Sequence, residues 1–357
     1  MKRVQLGHRS VGDGHPCFVT FEAGPTHDGL VSAKQLVKLA SEAGADAVKF
    51  QILDPERLVA DKCQMFSYDV LIDRHSGKTE TISEPLYDIF VRRALKQEEW
   101  YELKKYSDQL GLAFFATVGF NDEIEFLEKL GCHSIKIASA DVNHFPLIRR
   151  AAKTGMCIQL DTGKSSFGEI ETAVDIIRSE GNDNIIIHHC PSGYPARIDS
   201  INLNVIPTLK RLFPYPIAFS DHTPGNVMDI AAVALGANLV EKTITEDRTT
   251  RSVEHMMSLE PEEMTAFVHT IHEVEMALGS AQRVLHEEEK KNRVALRRSV
   301  FLKEKASQGD QLKDCVVEFR RPGFGISPDR YEELLNMKLR RDLSPGHCVA
   351  LQDLTWE

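Results

Sequence analysis

Lys49, Lys136 and Lys242 each sit toward the C-terminal end of a short apolar run, as do the carboxylates Glu22, Asp161 and Glu241. Hydroxyls occupy matching places at Thr117, Ser139, Ser220 and Thr243. Ammonium groups among hydroxyls bind anions such as phosphate or carboxylate, and a carboxylate held beside them can move protons. Taken singly these residues say little. A lone lysine at a strand end is more often a salt-bridged structural residue, and Asp161-Thr162-Gly163 alone is a turn. The informative pattern is that every one of eight apolar runs ends in polar side chains.

Those runs are Cys17–Gly24, Ala47–Leu53, Leu112–Val118, Ser134–Ser139, Cys157–Gly163, Asn184–Ser192, Pro216–Asp221 and Leu239–Thr245. Between them lie segments of helical period such as Val31–Ala43 and Gly168–Arg178. Continuous apolar runs are typical of strands buried on both faces of a parallel sheet. Eight strand–helix units in this length fit a closed α/β barrel, the (β/α)8 TIM barrel, better than an open doubly wound sheet with the same alternation. In a barrel the strand C-termini face the active site, so the polar ends converge. Residues 54–96 interrupt the rhythm with Met65, Phe66, Tyr68, Tyr87 and Phe90, either as a lid or as a packing excursion. The charged run His286–Lys291 reads as a solvated linker or helix face. The expected division is a barrel over 1–282, a linker over 283–295 and a small, mostly β domain over 296–357, with strands at Arg298–Leu302, Cys315–Phe319, Arg321–Gly325 and His347–Leu351.

The 357 residues are 42% hydrophobic and 27% charged, as in globular enzymes, with a formal net charge of -10. That charge argues against a nucleic-acid partner. No apolar run approaches a membrane span. The seven cysteines show no paired spacing, which fits free thiols in a reducing compartment and a cytoplasmic location.

Several stretches together resemble the sialic acid synthases. Phe21–Gly29 (FEAGPTHDG) is similar to their opening block, and Asp46–Gln51 (DAVKFQ) matches their second strand. Lys136-Ile137-Ala138-Ser139 followed by Asn143, Tyr194-Pro195, Ser220–Gly225 (SDHTPG) and Ser258–Pro261 (SLEP) follow in the family's order. Arg297–Ser299 and Arg321–Pro328 resemble its C-terminal antifreeze-like (SAF) domain. The resemblance spans nearly the whole chain. It implies condensation of phosphoenolpyruvate with an amino-sugar aldehyde such as N-acetylmannosamine, then addition of water and release of phosphate. By match, Glu22 is the acid/base, with Lys49 and Lys136 at the reacting phosphoenolpyruvate. Thr117, Ser139 and Ser220 complete the anion cradle beside Gln51 and Tyr194. Asp141 and Glu254 stand where the family places acidic residues toward the sugar, each changed in length. Arg321 matches an arginine inserted from a partner subunit, which implies a homodimer with exchanged small domains.

The resemblance also implies a divalent metal, manganese or magnesium, on two histidines. His222 fills the first place, but Thr243 stands in the second, and a neutral hydroxyl is a poor ligand beside imidazole. Asp161 and the pair Pro191-Ser192 also depart from the family pattern, reshaping the substrate-binding side. Three outcomes stay open: a metal-free enzyme, a site rebuilt with Asp161, Glu241 or Glu246, or an inactive relative. Two rival functions remain as well, a lysine Schiff-base aldolase and a non-catalytic sugar-binding protein. His27, His189 and His255 could form a second metal site, although their spacing is equally that of hydrogen-bonded polar residues.

Overall fold

The computed structural model describes residues 2–357 and shows eight parallel strands closed into a barrel in sequence order. They are β1 (Phe18–Glu22), β2 (Ala47–Gln51), β3 (Ala113–Val118), β4 (Ser134–Ile137), β5 (Cys157–Asp161), β6 (Ile185–His189), β7 (Ile217–Asp221) and β8 (Leu239–Thr243). Each lies within an apolar run anticipated from sequence. The runs overshoot because residues such as Ala23-Gly24 and Thr162-Gly163 already turn away from the barrel. The closed barrel displaces the open-sheet alternative.

Strand alternation assigns each side chain a face. One set, including Val19, Phe21, Val48, Phe50 and Phe219, packs outward against the helices in the main core. Fully burying such a side chain contributes about 1.5–3 kcal/mol. The other set points into the barrel and changes character along it. Its lower members are apolar: Phe18, Ala47, Phe115, Cys157, Ile186, Ala218 and Leu239 pack with Val4, Leu6 and Val11. These last three belong to an N-terminal hairpin, Val4–Leu6 paired antiparallel with Arg9–Val11, that the sequence reading missed. Strands of three residues are too short for a period to show. The upper inward members are polar.

The interruption after β2 is itself ordered. Met65–Asp73 pairs antiparallel with Lys78–Pro85, and helix α1 (Leu86–Arg93) follows. Tyr68, Val70 and Ile89 form a small apolar cluster with Val253, from the segment after β8. Packing on that segment, with Met65 left exposed, makes it a brace rather than a free lid.

The chain divides after Gly279 into two compact units. In the second, the charged run is a helix, α2 (Glu287–Leu296), and it belongs with the small unit through the Gly323 N–H donated to the Val294 carbonyl at 2.8 Å. Glu287, Glu288 and Glu289 in its first turn offset the N-terminal dipole. Ser299–Leu302 pairs antiparallel with Val317–Arg320, and Lys338–Leu339 with Leu354–Thr355. Two anticipated strands are absent. Arg321–Gly325 is a bend, and His347–Leu351 makes only an isolated bridge before a turn in which buried Asp353 accepts the Ala350 N–H at 3.0 Å.

Candidate active site

The polar upper layer surrounds a cavity of about 220 Å³ at the C-terminal end of the barrel. Of the residues singled out from sequence, Glu22, Lys49, Gln51, Thr117, Ser139, Asp161, Ser192, Tyr194, His222, Thr243 and Glu254 all line it. Register explains the convergence: Glu22 stands opposite Lys49 and Thr243, and Gln51 opposite Thr117.

A charge network forms the floor of the cavity, with Lys136 and Ser220 behind the residues that line it. Lys136, with 0% of its surface exposed, donates to Glu241 Oε2 at 2.7 Å, contacts Asp161 Oδ1 at 3.0 Å and reaches Ser220 Oγ at 3.3 Å. Lys49 donates to Glu241 Oε1 at 2.9 Å and pairs with Glu22. Glu241 thus spans both ammonium groups. Burial alone pulls Lys49 toward neutrality, but Glu22, Glu241 and Asp161 outweigh it and hold its pKa well above the ordinary lysine value. Burial pushes Glu241 up, yet Lys136 and Lys49 prevail and keep it ionised, below the usual carboxylate range.

The polar chain continues through residues that no motif flagged. Ser220 Oγ donates to Asp161 Oδ1 at 3.0 Å, and His188 Nδ1 lies 2.9 Å from Ser220 Oγ. Gln159 Oε1 is 3.0 Å from His188 Nε2, while Gln159 Nε2 donates to Ser134 Oγ at 2.8 Å. Burial and Lys136 drive His188 well below the usual histidine value, so it is neutral. The available signal was period two, since Ser134, Gln159 and His188 are inward-facing positions of β4, β5 and β6. Lys164 was also missed; it lines the cavity mouth on a backbone at φ 60°.

Two glycines permit close approaches here. Gly24 donates its N–H to Glu22 Oε1 at 2.7 Å, and an added Cβ would meet Glu22 Oε1 and Gln51 at 2.8 Å. Gly163 donates to Ser139 Oγ at 3.0 Å, and a Cβ there would lie 2.7 Å from the same oxygen.

Glu254 departs most from ordinary chemistry. Its backbone is left-handed at φ 71°, a strained state for a residue with a side chain. Its carboxyl accepts from Thr243 Oγ1 at 3.3 Å. Burial raises its pKa to about 7, Glu22 adds to the rise, and His222 opposes it.

Two sequence expectations are corrected. Lys242 does not join the anion cradle. It faces away, paired with Asp221, 3.5 Å from Asp229 and donating to the Thr223 carbonyl, because it alternates with inward Glu241 and Thr243. Asp141 closes a single helical turn after β4, only partly buried, and is not part of the cavity wall. Arg321 lies in the second unit. The histidine trio does not assemble either. His189 Nε2 bonds the Ile201 carbonyl at 2.6 Å, whereas His27 and His255 are held neutral, near pKa 3, by burial and Arg93.

The residues present do not fit a two-histidine metal site. Thr243 offers a hydroxyl, and His222 stacks edge-on with Tyr194 at 4.8 Å with its Nδ1 3.1 Å from the Pro191 carbonyl. Glu241 and Asp161 are engaged with lysines, and Glu246 lines a different cavity. Among the described residues no three His, Cys, Asp or Glu side chains are grouped to hold a metal ion.

A barrel whose strand C-termini gather lysines, carboxylates and hydroxyls around one cavity has the arrangement of a TIM-barrel enzyme site. The NeuB family model matches residues 36–283, and the chain belongs to the NeuB family. It is 32% identical over 357 residues to N,N'-diacetyllegionaminic acid synthase of Legionella pneumophila, covering 98% of this chain and 97% of that one. It is 35% identical over 309 residues to human N-acetylneuraminate-9-phosphate synthase, covering 85% and 83%. The crystal structure of the N-acetylneuraminic acid synthetase of Leptospira borgpetersenii in complex with citrate superposes with a TM-score of 0.71 at 29% identity, covering 82% of this chain and 95% of that one. Among the described residues no helix is long and apolar enough to cross a membrane.

Proposed function

We propose that this enzyme condenses phosphoenolpyruvate with an amino-sugar aldehyde of the N-acetylmannosamine type, giving a nonulosonic acid and phosphate, without a resident divalent metal. The observation that carries the reading is the fixed pair of buried ammonium groups, Lys49 and Lys136, bridged by Glu241 under the hydroxyls of Thr117 and Ser139 and beside Glu22. Cations locked in place cost no reorganisation when an anion arrives.

C3 of phosphoenolpyruvate bonds to the aldehyde carbon, whose oxygen takes a proton. Water then adds at C2, loses a proton, and the C2–O bond to phosphate breaks. Glu22, fixed by Gly24 N–H and Gln51 Nε2, is placed to receive the proton of the attacking water. Glu254 has a carboxyl that still holds a proton near neutrality and faces the cavity as donor toward the sugar. Serving this way needs no metal-bound carbonyl. The Schiff-base alternative requires a neutral lysine, whereas Lys49 is held charged and Lys136 is locked between Glu241 and Asp161.

The small unit as an antifreeze-like domain, delivery of Arg321 to a partner's site in a domain-exchanged dimer, and a cytoplasmic location form part of the same proposal, supported by the family resemblance. The test is to follow phosphoenolpyruvate isotopically labelled at C3 by NMR with a panel of amino sugars. A new C3–carbon bond formed with phosphate release supports the reading; unchanged label with every sugar refutes it.

A further inference from the structure

Arg93 ends helix α1, within the interruption after β2, and only 4% of its surface is exposed. A buried guanidinium ordinarily faces a carboxylate. This one instead donates to the backbone carbonyl of His27, to Ser252 Oγ at 2.7 Å, and approaches His255 Nε2 at 3.4 Å. Its Nε has no partner. Burial and neighbouring Arg92 lower its pKa, to about 10, so it remains charged. A buried cation placed on uncharged groups is costly, and its two side-chain partners share one feature. Ser252 and His255 bracket Glu254.

The rest of the segment is anchored around the same residue. Val253 is buried against Tyr68, Val70 and Ile89 of the brace. His255 Nδ1 lies 2.8 Å from Thr245 Oγ1, and Ser258 Oγ donates to the Glu254 carbonyl at 2.7 Å. Between these fixed points only Glu254 takes the left-handed backbone, and its carboxyl reaches the cavity beside Thr243. A strained residue persists only where its surroundings over-determine it.

We infer that Arg93 is a positioning residue that latches the segment bearing Glu254 to the loop after β1, holding Glu254 strained and aimed at the sugar end of the cavity. The brace after β2 therefore acts on specificity without entering the cavity, since Arg93 is not among the residues lining it. The role of Glu254 rests on the function proposed above; the latch rests on geometry alone.

Two measurements separate the two. In the substrate-free enzyme, amide hydrogen exchange of Arg93→Met is expected to rise within residues 245–257 while the barrel strands stay protected. In steady state, Arg93→Met is expected to raise KM for the sugar at least about tenfold, with KM for phosphoenolpyruvate within about twofold of wild type. Arg93→Lys should recover part of the loss by restoring the charge. Should Arg93→Met fail to fold, Ser252→Ala removes one partner only and should raise the sugar KM in the same sense. In a Glu254→Gln background the Arg93 effect on the sugar KM should largely vanish, since the two act as one unit. Unchanged exchange in 245–257, or equal rises in both KM values, overturns the latch. Local exchange that rises in an enzyme releasing no phosphate with any sugar leaves the latch standing and overturns the synthase reading instead.

Discussion

Lys136 and Glu241 meet at 2.7 Å at the cavity floor, and the other carboxylate oxygen of Glu241 holds Lys49 at 2.9 Å. One carboxylate therefore fixes the spacing of two cations before any substrate binds. Lys136 also touches Asp161, so removing it leaves Asp161 without an ammonium partner and Glu241 with Lys49 alone. Lys136→Ala is expected to destabilise the fold by about 3–5 kcal/mol, the usual result of breaking a buried pair from one side. Urea denaturation of wild type and variant at one pH checks this. A loss under about 1 kcal/mol would mean water reaches the network freely.

Glu22 differs, because the proposed reaction assigns its carboxylate a proton transfer. Glu22→Gln keeps an oxygen to accept the Gly24 N–H but cannot exchange protons. It should lose about 10²–10⁴-fold in kcat and also lose some stability, because Lys49 gives up one of its two paired carboxylates. Steady-state phosphate release together with thermal melting gives both quantities.

Glu254 makes stability depend on pH. Its folded pKa of about 7 stands above the ordinary 4.5, so the unfolded chain releases this proton first. Stability linked to Glu254 is full below about pH 4.5 and is lost as pH rises through about 7, an effect of about 3 kcal/mol. Glu254→Gln should flatten this decline, so its advantage over wild type grows from pH 5 to pH 8. Denaturation curves across that range decide it; a constant difference would place the glutamate pKa near its ordinary value.

Thr243 is the position at which the proposed metal-free site can be tested. Thr243→His adds an imidazole on the inward face of β8, near His222 and Glu254. It should create a manganese site at least about tenfold tighter than any in wild type, readable from the loss of free Mn²⁺ signal in electron paramagnetic resonance. Equal tight binding by both proteins would show that wild type already holds the metal.

Much of this arrangement was legible in the sequence because barrel strands are buried on both faces and write themselves as apolar runs. Glu22, Lys49, Gln51, Thr117 and Ser139 could be gathered to one cavity from their places at strand ends. Lys242 was misassigned for the same reason, since strand ends alone do not give the face; its alternation with Glu241 and Thr243 does. His188 and Gln159 look apolar by neighbourhood and become visible only when inward positions on adjacent strands are compared. Arg93 was illegible, because its partners Ser252 and His255 lie far away in sequence and nothing local marks a helix-end arginine as buried. The N-terminal hairpin and the two-residue strands Lys338–Leu339 and Leu354–Thr355 are too short for any period to emerge, whereas Ser299–Leu302 and Val317–Arg320 lie where apolar runs marked strands.

The most direct measurement of the central claim is phosphate release from phosphoenolpyruvate with a panel of amino-sugar aldehydes, in EDTA and again with added manganese. The account predicts release that requires both the sugar and Glu22 and that persists in EDTA. Release only with manganese would contradict the metal-free site at His222 and Thr243, and no release with any sugar in either condition would contradict the synthase reading itself.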